Sequence, residues 1–119
     1  MAVVLAIDAG TTSVRTLAVD DAGRVVDSAQ REFTQHFPRP GLVEHDADEI
    51  WQAVGDTLRE VADRLESTGT PIAAVGITNQ RETIVAWDAG TGRPRHMAIV
   101  WQDRRTTSRC EELLADGLQ

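Results

Sequence analysis

One cysteine in 119 residues is too few for an internal disulfide. Positive charge is also scarce: the formal net charge is −7, and a chain with an acidic excess does not offer the broad basic face that general nucleic-acid binding needs. A phosphorylated small molecule is not excluded by that balance, because a site needs only local positive potential. No apolar stretch approaches the roughly 20 residues of a membrane span. No charged-then-apolar leader precedes Val3, so the expected compartment is the cytoplasm. The chain is too short for two domains with separate cores but long enough for one. A hydrophobic fraction of 41% and a charged fraction of 26% are those of an ordinary soluble globular protein, which argues against disorder.

What is present begins with Val3-Val4-Leu5-Ala6-Ile7, a continuous apolar run of the kind found in strands buried on both faces, ending at Asp8. Ala9-Gly10-Thr11-Thr12 reads as a tight turn and Val14 to Val19 as a second strand. Asp20-Asp21-Ala22-Gly23 reads as another turn and Arg24 to Phe33 as a third strand, so the opening is a β-meander. Pro38-Arg39-Pro40-Gly41 is a loop, because prolines remove donors and fix dihedrals against regular structure.

The spacing predicts a helix capped by Asp46, with Glu49 reaching back as capping-box partner and Gly69 as the stop. Ile50, Val54, Leu58, Val61 and Leu65 line one face at a 3.6-residue period, while Asp56, Arg59, Asp63 and Glu66 form the solvated face. Ile72 to Ile77 is expected as a buried strand, Thr83 to Trp87 as another, and His96 to Trp101 as the last. Asp103 is expected to cap a final helix ending near Gly117. Two helices and about six strands make an α/β or α+β unit. Because the final helix and strand would want a covering layer, the chain is expected to be a piece of a longer protein.

Three stretches could carry chemistry. In Ile7-Asp8-Ala9-Gly10-Thr11-Thr12-Ser13, followed by Arg15, a strand delivers a carboxylate to a glycine turn rich in hydroxyls. Asp8 could hold magnesium, Gly10 lets a backbone come close, and the turn's amides and hydroxyls with Arg15 could bind phosphate oxygens. It is not a P-loop, since no Gly-Lys-Ser follows and the next element is a strand. A plain hairpin turn uses the same residue types, and both readings stand.

In Gln80-Arg81-Glu82, a pure donor sits beside a pure acceptor, a pair that complements neighbouring hydroxyls of a polyol. A surface ion pair at a strand end is the alternative. Side chains alternate faces along a strand, so both charges can reach one object only if the strand breaks there. In Ile99-Val100-Trp101-Gln102-Asp103-Arg104-Arg105, Trp101 offers a flat wall for the CH side of a small polyol, and it could equally be packing. Trp51 and Trp87 are read as packing. Arg104 and Arg105 oppose a helix dipole and want a carboxylate partner. His36, His45 and His96 have no zinc-like spacing; a cap and a solvated loop explain His45, Asp46 and Asp48. Cys110, with Leu113 and Leu114, reads as a small core residue.

Taken together, "IDAGTTSVR", "QREF", "PGLVEHDADEIW", "GITNQRET", "TGRP" and "IVWQDRRT", in this order from Ala6 to about Gly117, resemble the N-terminal part of the glycerol-phosphorylating members of the FGGY carbohydrate kinase family. The resemblance implies an α/β chain of ribonuclease H-like (actin-like ATPase) fold. The 119 residues would then be an incomplete part of the N-terminal domain, with the second domain absent. It also implies ATP-dependent phosphorylation of glycerol to glycerol 3-phosphate in the complete protein, with ATP/ADP and Mg2+ as cofactors, in a cytoplasmic homo-oligomer without nucleic-acid or membrane partners.

Residue by residue, the resemblance makes Asp8 the magnesium-associated aspartate and Gly10, Thr11, Thr12, Ser13 and Arg15 the first phosphate loop for ATP. Arg81 and Glu82 would hold glycerol's hydroxyls and Trp101 its carbon backbone. Ala9 stands where the family often has glutamine, and Leu42 where "PGWVEHD" has tryptophan. No residue here is assigned as catalytic base, so the isolated 119 residues are expected to be inactive. The alternatives are an FGGY kinase for another polyol or sugar, or a non-catalytic actin-like module that binds polyol or nucleotide.

Overall fold

In a computed structural model, residues 1–118 are described. They form β1 (Val3–Ala9), β2 (Ser13–Val19), β3 (Val25–Glu32), β4 (Glu44–His45), α1 (Ala47–Ser67), β5 (Ile72–Thr78), β6 (Ala98–Ile99) and α2 (Thr107–Ala115). The chain divides into two compact units. The first comprises Met1–Thr34 with Asp46–Arg81, and the second Gln35–His45 with the chain from Glu82 onward.

In the first unit the strands lie in the order β3-β2-β1-β5. The expected meander is present as two antiparallel pairs, β1 with β2 and β2 with β3, while β5 joins β1 in parallel. Alternation sorts the side chains: Val3, Leu5, Ile7 and Ala9 of β1 and Val14, Thr16 and Ala18 of β2 are buried. That face receives α1 through Val54, Val61 and Leu65, with Ile50 and Leu58 partly buried beside them, so the predicted apolar stripe is the one that packs. Thr57 is buried in the same face. Its hydroxyl donates to the Ala53 carbonyl at 2.9 Å and accepts from the Thr16 hydroxyl at 2.9 Å, which satisfies two polar groups inside the core.

Helix α1 starts as expected, with the Asp46 carboxylate accepting from the Asp48 amide at 2.9 Å. The capping box does not close: the Glu49 carboxylate instead accepts from the Thr34 amide at 3.1 Å, drawn to the exit of β3. The helix ends in a Schellman arrangement. Gly69, at φ +68°, donates to Glu66, and Thr70 donates to Leu65.

Strand β5 occupies the predicted residues but is exposed along its whole length. Val75 and Ile77 pair with Leu5 and Ile7, so they continue the core face of the sheet past α1, and they are 54% and 67% exposed. An apolar run therefore marks a face made for burial without showing that the face is covered.

The second unit departs further from the sequence expectations. Thr83 to Trp87 forms no strand, only isolated bridges from Ile84 to Ile99 and from Trp87 to Pro94. The last strand shortens to β6, which pairs with β4, an element not among the expected strands. His45, expected in a solvated loop, is fully buried in β4 and hydrogen-bonded to Gln35 Oε1 at 2.7 Å. Helix α2 begins at Thr107 with Thr106 as cap and no side-chain cap bond; Asp103, the expected cap, lies before the helix with its carboxylate engaged by Arg105. No residue of α2 is buried, so Cys110 is exposed and not core. Trp51 and Trp87 are likewise exposed, at 72% and 63%.

Candidate functional site

The parallel register pairs Asp8 with Thr78, which brings the carboxyl ends of β1 and β5 to one edge of the sheet. Ligands in open sheets with parallel strands collect at that edge. Asp8 is exposed on the face away from α1, where it lies opposite Arg15 in the β1–β2 ladder. The turn between these strands is closed by the Gly10 amide, which donates to the Ser13 carbonyl at 3.0 Å. A Cβ on Gly10 would lie 3.1 Å from that same oxygen, so a side chain here would push the turn open.

This geometry distributes the donors unevenly. The Gly10 amide is spent inside the turn, so Gly10 serves close approach and not outward donation. Thr11 is half-buried and Thr12 exposed. The Ser13 hydroxyl accepts from Gln30 Nε2 at 2.8 Å, and Arg15 donates to Gln30 Oε1 at 3.0 Å. One glutamine thus braces both residues. Ser13 still has its own proton to donate and Arg15 further N–H groups, so both could reach an anion. Gln30 lies in the quoted "QREF" motif but received no role from the sequence; its register opposite Arg15 is the signal that would have placed it.

Beyond β5 the strand stops at Thr78 and residues 81–82 form a turn, so the break expected from the adjacent charges is present. Arg81 is exposed and closes the first unit. Immediately before it, Gln80 Nε2 donates to the Gly10 carbonyl at 3.0 Å. Gln80 stands in the quoted motif without an expected role of its own.

In the second unit Glu82 is the only non-glycine residue at positive φ among the described residues, at +62°. A left-handed glutamate is uncommon and marks a constrained turn. Ile84 and Ile99 exchange both backbone hydrogen bonds at 2.9 Å. Counting two residues outward from that bridge on each side reaches Glu82 and Trp101, so both leave the same end of one antiparallel pair.

Trp101 is 52% exposed and follows the buried Val100, whose amide donates to Val43. The turn after Trp101 is anchored by Asp103. Its carboxylate accepts from the Val43 amide at 2.7 Å, from the Arg105 amide at 2.9 Å and from the Arg105 guanidinium. Arg105 also donates to Glu44 Oε2 at 2.7 Å, so the carboxylate partner the sequence wanted for this arginine is a pair, Asp103 and Glu44. The Arg105 guanidinium holds the Asp103 carboxyl well below the usual carboxylate range, despite the opposing effect of burial.

The chain matches the family described as "FGGY family of carbohydrate kinases, N-terminal domain" over residues 3–119. It belongs to that family of carbohydrate kinases, and its fold is that of the family's actin-like ATPases. Among curated relatives, the glycerol kinase of Rhizobium meliloti is 53% identical over 116 residues, covering 98% of this chain and 23% of the relative. The glycerol kinase of Bordetella pertussis is 55% identical over 114 residues, covering 96% and 22%. A crystal structure of Plasmodium falciparum glycerol kinase with ADP superposes with a TM-score of 0.91 at 36% identity, covering 97% of this chain and 23% of that one. The chain thus spans less than a quarter of the length of these relatives.

Proposed function

We propose that this chain is the opening part of the N-terminal domain of an ATP-dependent kinase that phosphorylates glycerol to glycerol 3-phosphate, releasing ADP. What supports the reading most is the shared sheet edge, where the Asp8 turn and the "TNQRE" exit of β5 emerge side by side from parallel strands. Glycerol kinases more than half identical over nearly the whole chain support the choice of substrate.

In this proposal Thr11, Thr12, Ser13 and Arg15 bind phosphate oxygens of ATP, with Gly10 letting the nucleotide approach the turn. Asp8 suits Mg2+: it is an exposed hard-oxygen donor at the head of the turn, and magnesium commonly takes one or two carboxylates plus phosphate and water. When bound, the ion would neutralise charge on the phosphates. Arg81 donates to glycerol hydroxyls, Glu82 accepts from them, and Trp101 covers the carbon backbone. These residues bind and orient; none is assigned to take the hydroxyl proton, so the 119 residues alone do not turn over ATP. The proposal includes a cytoplasmic, homo-oligomeric complete protein. No helix among the described residues is long and apolar enough to cross a membrane.

Substrate comparison on the complete protein tests this reading. Glycerol should stimulate ADP release far more than pentuloses or hexuloses do. A preference for a sugar moves the protein to another branch of the family, and no stimulated turnover favours a binding module.

A further inference from the structure

We infer that Gln80 is a positioning residue that fixes the phosphate turn and Arg81 relative to each other, so that one side chain governs both ATP and polyol binding. The inference rests on the functional reading above.

Its physical basis is the 3.0 Å bond from Gln80 Nε2 to the Gly10 carbonyl, which spans 70 residues of sequence. Pairing of β1 with β5 ends at Asp8 and Thr78, so beyond that point the ladder no longer holds the two exits together. Gln80 supplies a tie two residues further out. On one side it holds the carbonyl of the glycine whose amide closes the turn on Ser13. On the other it is peptide-bonded to Arg81. Releasing the amide would therefore let the turn and the arginine drift independently, and binding geometry is sensitive to shifts of an ångström or less.

The chemistry of the bond also makes it testable by an isosteric change. Glutamine offers N–H donors, whereas an ionised glutamate of the same shape has only acceptors and would repel the carbonyl.

The experiment is steady-state kinetics on the complete protein with Gln80→Ala, Gln80→Glu, Arg81→Ala and Ser13→Ala, each checked for an unchanged melting temperature. Gln80→Ala should raise KM for ATP and for glycerol together, each by about tenfold. Gln80→Glu should do so at least as strongly. Arg81→Ala should raise only the glycerol KM, and Ser13→Ala only that for ATP. If either Gln80 variant shifts one KM alone, or neither, while Arg81→Ala behaves as stated, the positioning role is overturned and the functional reading survives. If Arg81→Ala leaves the glycerol KM unchanged, the functional reading fails and takes the inference with it. Should Gln80→Ala not fold, the isosteric Gln80→Glu decides.

Discussion

The hydroxyl of Thr57 on α1 and that of Thr16 on β2 meet at 2.9 Å inside the core, both residues fully buried. Removing one partner leaves the other's bonding unmet, whereas replacing both by apolar groups of the same shape removes the need. Thr57→Ala should destabilise by about 1–3 kcal/mol, and the double change Thr16→Val with Thr57→Val should cost less than Thr57→Ala alone. Equilibrium unfolding of the three proteins in denaturant checks the order.

Of the glycines, Gly10 leaves least room for a side chain, and it lies in the turn proposed to bind phosphate. Gly10→Ala brings its methyl to 3.1 Å from the Ser13 carbonyl, so the turn must open by a few tenths of an ångström. In the complete protein we expect the KM for ATP to rise by about tenfold with the glycerol KM changed less. An unaltered ATP KM would show that nucleotide does not approach this turn.

How far these features were legible in the sequence differs by element. Strands β1 to β3 and helix α1 follow from apolar runs, turn residues and the 3.6-residue stripe, because each is decided by local pattern and one buried face. The second unit departs from local pattern because its pairings and its Asp103–Arg105–Glu44 cluster join residues distant in sequence. Asp103 looks like a helix cap, but Arg105 holds its carboxylate, and helix α2 starts only at Thr107. His45 looks like a loop residue, but pairing of Glu44 and His45 with Ile99 and Ala98 makes both strand, and His45 lies buried beside Gln35. Exposure was the other blind spot. Val75, Ile77, Trp51 and Cys110 have the composition of a core, and composition does not reveal whether a covering layer packs on them. Of the candidate site, the Asp8 turn and the break at Arg81 were legible as motifs. The two glutamines that brace the turn, Gln30 and Gln80, were not, because their partners depend on strand register.

The Asp103 cluster carries a pH signature. Its carboxyl is held below the unfolded range by Arg105, so its folded form binds protons less readily than the unfolded chain. A depressed carboxylate contributes stability that is complete above its unfolded pKa, about 4, and is lost as pH falls through the folded value. The stability difference between the parent and Asp103→Asn should therefore be level above about pH 5 and shrink steadily in more acid solution. Thermal melts of both proteins across that range check it; a difference independent of pH would contradict the assignment.

Exposed apolar residues on β5 predict association. Val75 and Ile77 extend the core face beyond α1, and β5 is also the outer strand of its sheet. Sedimentation of the 119-residue chain should show concentration-dependent self-association that Ile77→Lys weakens. A monomer indifferent to that change would show that the face is not adhesive.

The most direct measurement is the glycerol dependence of ADP release by the complete protein, parent against Arg81→Ala, at saturating ATP. The account predicts glycerol-stimulated turnover in the parent and a glycerol KM raised by about 100-fold in the variant, the size expected for losing a charge-assisted hydrogen bond to the substrate. Equal glycerol KM values for the two proteins would contradict it.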